Sequence, residues 1–94
     1  MSETAKKPAV AWDQDTKNKF DKLLEKIPIF LRGVAETKVV NRAESLVRES
    51  HRSLVFEKDL VDAFFDVTPY GFHGPLKNDM QELGIDYIQY GHPE

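Results

Sequence analysis

The chain has 94 residues, no cysteine and a formal charge of −3, and each of these facts closes off a class of function. A chain of this length supports one small core that buries roughly 60 to 65% of the unfolded surface. Without cysteine there are no disulfides, thiolate metal sites or cysteine nucleophiles, and without a basic surplus the main driving force for non-specific nucleic-acid binding is missing.

Residues 1–11 are polar, contain Lys6, Lys7 and Pro8, and show no periodic apolar face, so a disordered leader is expected. Trp12 should be the first ordered residue, ahead of a helix capped by Asp13 or Asp15. Thr16, Phe20, Leu23, Leu24 and Ile27 then recur at helical spacing. Pro28 ends that helix by disfavouring helical geometry at Ile27, and it can open the next turn, where its missing amide costs nothing. Ile29, Phe30, Leu31 and Arg32 form a short apolar segment before Gly33, expected to wedge between the longer helices.

The clearest helix runs from about Val34 to Ser50. At 100° per residue, Val39, Val40, Ala43, Leu46 and Val47 share an arc about 120° wide, opposite an arc of charged residues. Leu54-Val55-Phe56 reads as an extended connector. A further helix starts near Glu57, where Glu57 and Asp59 suit a helix N-terminus. Leu60, Ala63, Phe64 and Val67 form its stripe, and Thr68-Pro69 ends it. Residues 69–75 are rich in Gly, Pro and aromatics, which is loop chemistry. Pro75 opens a short helix with Leu76, Met80 and Leu83, closed by Gly84 as a left-handed cap. Ile85, Tyr87, Ile88 and Tyr90 make an extended aromatic tail with apolar residues on both faces. Such a tail packs into its own domain or pairs with another chain.

The expected architecture is therefore all-α: a small bundle of three main helices with a Pro-started helical wedge and a C-terminal extension. The chain divides into a leader (1–11), a helical domain (12–67) and an aromatic Gly/Pro loop, short helix and tail (68–94). The longest apolar runs, such as Ile27 to Leu31, are broken by proline and too short to span a bilayer. The N-terminus lacks a signal-peptide stretch. A cytoplasmic protein is expected.

Trp12 before a helix, the run Ile27-Pro28-Ile29-Phe30-Leu31-Arg32, a long helix containing Ala43-Glu44, and Val55 before a helix with Leu60 and Ala63 together form a pattern. It resembles the small C-terminal domain of the B subunit of light-independent protochlorophyllide reductase and its stand-alone bacterial relatives. The resemblance covers roughly residues 12–67, with 28–32 its most specific part. The family has a capping Thr and a Glu where this chain has Phe56 and Lys58, and often an acidic residue where it has Val40. The resemblance implies a helical accessory module near a tetrapyrrole site, not a reductase. A chain without cysteine cannot hold a conventional iron–sulfur cluster by itself.

Arg32 is the sharpest candidate. Its guanidinium either clamps a ligand carboxylate bidentately or caps main-chain carbonyls or pairs with Glu36, the commoner fate of a helix-end arginine. Phe30 beside it, and Tyr70, Phe72 and His73 on the glycine-rich loop, complete the ligand-binding candidates. The alternative for His73 is an ordered loop folding its aromatics over the core. Lys38, Arg42, Arg48 and Arg52 form a candidate partner surface, diluted by Glu44 and Glu49. His51, His73 and His92 lie too far apart in sequence for a local metal motif. Asp62 and Asp66 are one turn apart and read as a wet helix edge. No catalytic constellation or resident cofactor is expected.

The functional expectation is a non-catalytic accessory or binding domain that takes a tetrapyrrole or a protein partner, with self-association open. The alternative is a small helical nucleic-acid-associated protein, suggested by the helix–strand–helix pattern around Leu54 to Phe56. An enzyme acting through His73 has the least support.

Overall fold

A computed structural model describes residues 9–94, so the part of the expected leader before Ala9 lies outside the described residues. The elements in order are β1 (Ala11–Trp12), α1 (Gln14–Glu25), α2 (Ile29–Glu49), β2 (Leu54–Val55), α3 (Glu57–Val67), a 3₁₀ turn (Tyr70–Phe72), α4 (His73–Glu82) and a closing 3₁₀ turn (Tyr87–Tyr90). The expected all-α class holds, with the two short strands as its one exception among the described residues.

Helix α1 begins where a carboxylate can take up its free amides. The Asp13 side chain accepts from both the amide and the hydroxyl of Thr16, at 3.0 and 2.9 Å. Thr16, Phe20 and Leu23 are buried, and Leu24 and Ile27 pack against the core edge. Just before the cap, β1 runs parallel to β2, with Ala11 opposite Leu54 and Trp12 opposite Val55. The amide of Ala11 donates to Ser53 (2.9 Å) and that of Asp13 to Val55 (3.0 Å). The last leader residues are thus ordered, contrary to expectation. A two-residue strand is too short to show a period-2 pattern.

The apolar segment after Pro28 is not a separate wedge. It is continuous with the long helix, and α2 runs unbroken for 21 residues through Gly33. Glycine costs a helix interior about 1 kcal/mol, too little to break a helix held by its neighbours. Nor does the segment pack between helices: residues 29–38 contribute nothing buried, and the core begins at Val39, followed by Ala43 and Val47. These three pack with Phe20, Val55, Leu60, Ala63 and Phe64. The first turns of α2 project past that core.

Helix α2 ends in a left-handed residue, His51 (φ 58°), with the Arg52 amide donating to Val47 (3.0 Å). Helix α4 ends the same way at Gly84 (φ 74°), with the Ile85 amide on Met80 (2.8 Å), as expected for that glycine. Helix α4 starts at His73 rather than Pro75, because residues 70–72 already coil as a 3₁₀ turn.

The tail is not extended. It folds into the closing 3₁₀ turn, with Ile85 and Tyr87 buried and Tyr90 half-buried. Side-chain contacts tie it to α3, the Tyr87 ring against Phe65 among them. The Tyr90 hydroxyl donates to Glu57 (2.9 Å), the His92 Nε2 bonds Asp62 (2.7 Å), and the His92 ring stacks on Phe65 at 4.3 Å between centroids. Glu57 also pairs with Lys19 of α1, holding the lysine's proton more tightly than usual. Of the two fates open to the tail, packing on its own domain is the one observed.

Candidate functional site

Six of the eight large apolar side chains left in solvent among the described residues lie on two segments, the first turns of α2 and the turn after α3. Ile29, Phe30, Leu31 and Val34 on the first turns of α2 are 78, 80, 46 and 59% exposed, and Tyr70 and Phe72 are 88 and 63% exposed. Beside them a groove of about 440 Å³ opens between the start of α2, the end of α3 and the start of α4. Leu31, Val34, Val39, Phe64, Val67, Phe72 and Leu76 form its apolar lining, with Pro28, Pro69 and Pro75 among the residues around it. Single exposed apolar residues are ordinary, but Leu31, Val34 and Phe72 line one apolar concavity together, and such a concavity marks an interaction surface.

The local sequence makes this groove. Pro28 turns the chain sharply from α1 into α2 without needing an amide partner, so α2 starts beyond the end of the core. Thr68-Pro69 stops α3 directly opposite, with Thr68 extended at φ −92°, ψ 126°. Among the described residues, the groove between these two ends stays open to solvent.

Few charges border the groove. Lys38 lines it and forms no ion pair among the described residues. Asp79 lines it too; burial pushes its carboxyl above the usual range, with Lys26 opposing. Lys26 is itself bonded to Glu82.

The ligand candidates divide on inspection. Phe72 lines the groove, whereas Phe30 and Tyr70 are exposed but outside its lining. Arg32 is engaged elsewhere: its Nε donates to the Ile27 carbonyl and its Nη2 to that of Glu25, both at 2.8 Å. It caps the end of α1, not its own segment, and Glu36 is not its partner. His73 donates from Nε2 to the Thr68 carbonyl (2.8 Å) and packs edge-on against Phe65, with ring centroids 5.0 Å apart. Its place fits the ordered-loop alternative for His73 alone, since Tyr70 and Phe72 of the same loop stay exposed and are not folded over the core.

The basic candidates are mostly consumed by neighbours. Arg42 bonds Asp66 (2.8 Å), so that carboxylate is not merely a wet edge. Arg48 bonds Glu44 (3.4 Å), which also accepts from the Trp12 indole (3.0 Å). Arg52 makes a two-pronged bond to Asp59, at 2.7 and 3.1 Å. Asp59 also accepts from the Phe56 amide (2.9 Å), so it caps α3 in place of the missing threonine–glutamate pair. A second cavity, of about 380 Å³, lies over Arg52, Asp59 and Asp62. Its principal charges already satisfy one another.

No group of three or more metal-ligating side chains occurs among the described residues. No helix among them is long and apolar enough to cross a membrane.

Fold and site together define a small, mostly helical domain with one open apolar groove. By sequence the chain belongs to the DUF2621 family, described as proteins of unknown function, whose profile matches residues 3–93. That match runs through residues 68–93, the part the protochlorophyllide reductase resemblance leaves out. No curated protein and no solved structure matches the chain.

Proposed function

We propose that this protein is a non-catalytic binding domain that takes an apolar segment of a protein partner into the groove beside α2. The observation that carries the reading is the overhang of α2. Residues 29–38 form helix without contributing to the core, yet Ile29, Phe30, Leu31 and Val34 are large, apolar and exposed. Leaving such side chains in water forgoes about 1.5 to 3 kcal/mol each relative to full burial, which a bound partner recovers. The reading places the protein in the cytoplasm.

A second reading, a tetrapyrrole in the same groove, is favoured by the Pro28-to-Arg32 resemblance and by Lys38, which is placed to meet a ligand carboxylate. It has to do without Arg32 as a clamp and without a free His73 Nε2 as an axial ligand. The nucleic-acid alternative draws no support from Arg42, Arg48 and Arg52, which are engaged with carboxylates.

The test is a fluorescence titration of dilute protein with the apolar dye 1-anilinonaphthalene-8-sulfonate, beside absorption titrations with haem and protochlorophyllide. Saturable dye binding that Val34→Lys and Phe72→Lys abolish, with circular dichroism unchanged, supports the groove. Dye binding insensitive to both variants overturns it. A stoichiometric tetrapyrrole band shift lost in the same variants favours the second reading over the first.

A further inference from the structure

We propose that the partner in the groove is a second copy of this chain, bound about a two-fold axis with the α2 overhang of each copy lying in the groove of the other. The proposal rests on the groove being the binding site and names its occupant.

Three features of the surface favour self-pairing. The first is shape. A ridge at Phe30, exposed and outside the groove lining, stands one helical turn from Val34 on the wall of a trough that Leu31, Phe64, Val67 and Phe72 also line. A two-fold axis brings the same patch of both copies together, so a patch with an adjoining ridge and trough is complementary to itself.

The second is charge. Lys38 and Asp79 both line the groove, and neither side chain forms an ion pair or hydrogen bond among the described residues. Lys26, the cation acting on Asp79, is held by Glu82. In a two-fold pair, Lys38 of each copy meets Asp79 of the other, so two contacts form at once and no foreign charge is needed.

The third is area. Phe30, Leu31, Val34, Tyr70 and Phe72 expose between 46 and 88% of their surfaces. Together they offer several hundred Å², approaching the roughly 800 Å² that each side of a standard interface buries. Three of the five are aromatic, the residue class enriched at interface centres.

The experiment is sedimentation equilibrium of the full chain over a wide concentration range. The expected result is a reversible dimer, weakened about tenfold or more by Phe30→Lys or Val34→Lys, both exposed positions that leave the core intact. Lys38→Asp should weaken the dimer, and combining it with Asp79→Lys should restore it. A monomer at every concentration overturns the proposal, as does a dimer indifferent to Phe30→Lys and Val34→Lys. A monomer whose groove still binds the dye in a Val34-dependent way removes the second copy and leaves the groove standing, with a foreign apolar helix as its occupant. A monomer without dye binding removes both.

Discussion

The Arg32 guanidinium reaches back across Pro28 and donates to the Ile27 carbonyl at 2.8 Å, with a second bond to Glu25 at the same distance. Helix α1 ends with carbonyls that have no helical partner, and a cation there answers both their hydrogen-bonding need and the negative end of the helix dipole. Arg32→Ala should therefore lower stability by about 1 to 2 kcal/mol, the range for hydrogen bonds to a charged group. It should leave dye or ligand affinity at the groove unchanged. Denaturant unfolding and the fluorescence titration, run on the same variant, separate the two roles.

Asp59 is a buried carboxylate whose side chain accepts three hydrogen bonds: two from Arg52 and one from the Phe56 amide. Asp59→Ala strips the α3 cap and leaves Arg52 without its partner. A loss of about 3 kcal/mol is expected. Urea denaturation measures it, and Arg52→Ala should cost less, because Asp59 keeps its bond to the Phe56 amide and the α3 cap survives.

Two backbone positions carry a residue that suits them poorly. Gly33 lies inside α2, and an added Cβ would meet nothing within 4 Å. Gly33→Ala should stabilise by about 0.5 to 1 kcal/mol through helix propensity and a less flexible unfolded chain. His51 holds the left-handed position that ends α2, at φ 58°. His51→Gly should stabilise by about 1 kcal/mol, since only glycine adopts that geometry without strain. Thermal unfolding of the single and double variants should show nearly additive gains.

Burial and the bond to Glu57 push the Tyr90 phenol up to about 12 from an ordinary value of 10.0. The folded protein thus holds this proton more tightly than the unfolded chain does. The resulting stability is fully present below pH 10 and is lost as pH rises through about 12. Tyr90→Phe should flatten that alkaline decline in unfolding midpoint. It should also remove the latest step of the tyrosine absorbance titration.

The reach of the sequence follows from how local each signal is. The Pro28 break, the Val39–Ala43–Val47 stripe and the left-handed Gly84 each depend on a few neighbouring residues and are legible, and the α1 cap is legible as one of two aspartates, Asp13 or Asp15. Gly33 misled because its modest propensity cost was outweighed by continuation of the helix on both sides. The pairing of Ala11 with Leu54 joins residues far apart in sequence through main-chain bonds, which no side-chain pattern records. The groove was half legible. Phe30, Tyr70 and Phe72 were among the candidates, but Val34 and Phe64 meet only after folding, and an apolar run does not reveal whether it will be buried. Arg42, Arg48 and Arg52 looked available because the carboxylates that engage Arg42 and Arg52 lie on α3.

Val34→Lys and Phe30→Lys alter exposed helix positions, so each should change stability by no more than about 0.5 kcal/mol. If either unfolds the protein, the overhang is part of the core and not a binding surface. Circular dichroism with urea melts decides this before any binding experiment.

The most direct test of the central claim is to map, by amide chemical shifts of the dilute monomer, where the apolar dye touches the protein. The expected perturbations fall on residues 27–38 of the α1–α2 junction and α2, and on residues 64–76 at the end of α3 and the start of α4. Perturbations centred on the tail around Tyr87 to His92, or on the cavity over Arg52 and Asp62, would contradict the assignment of function to the groove beside α2.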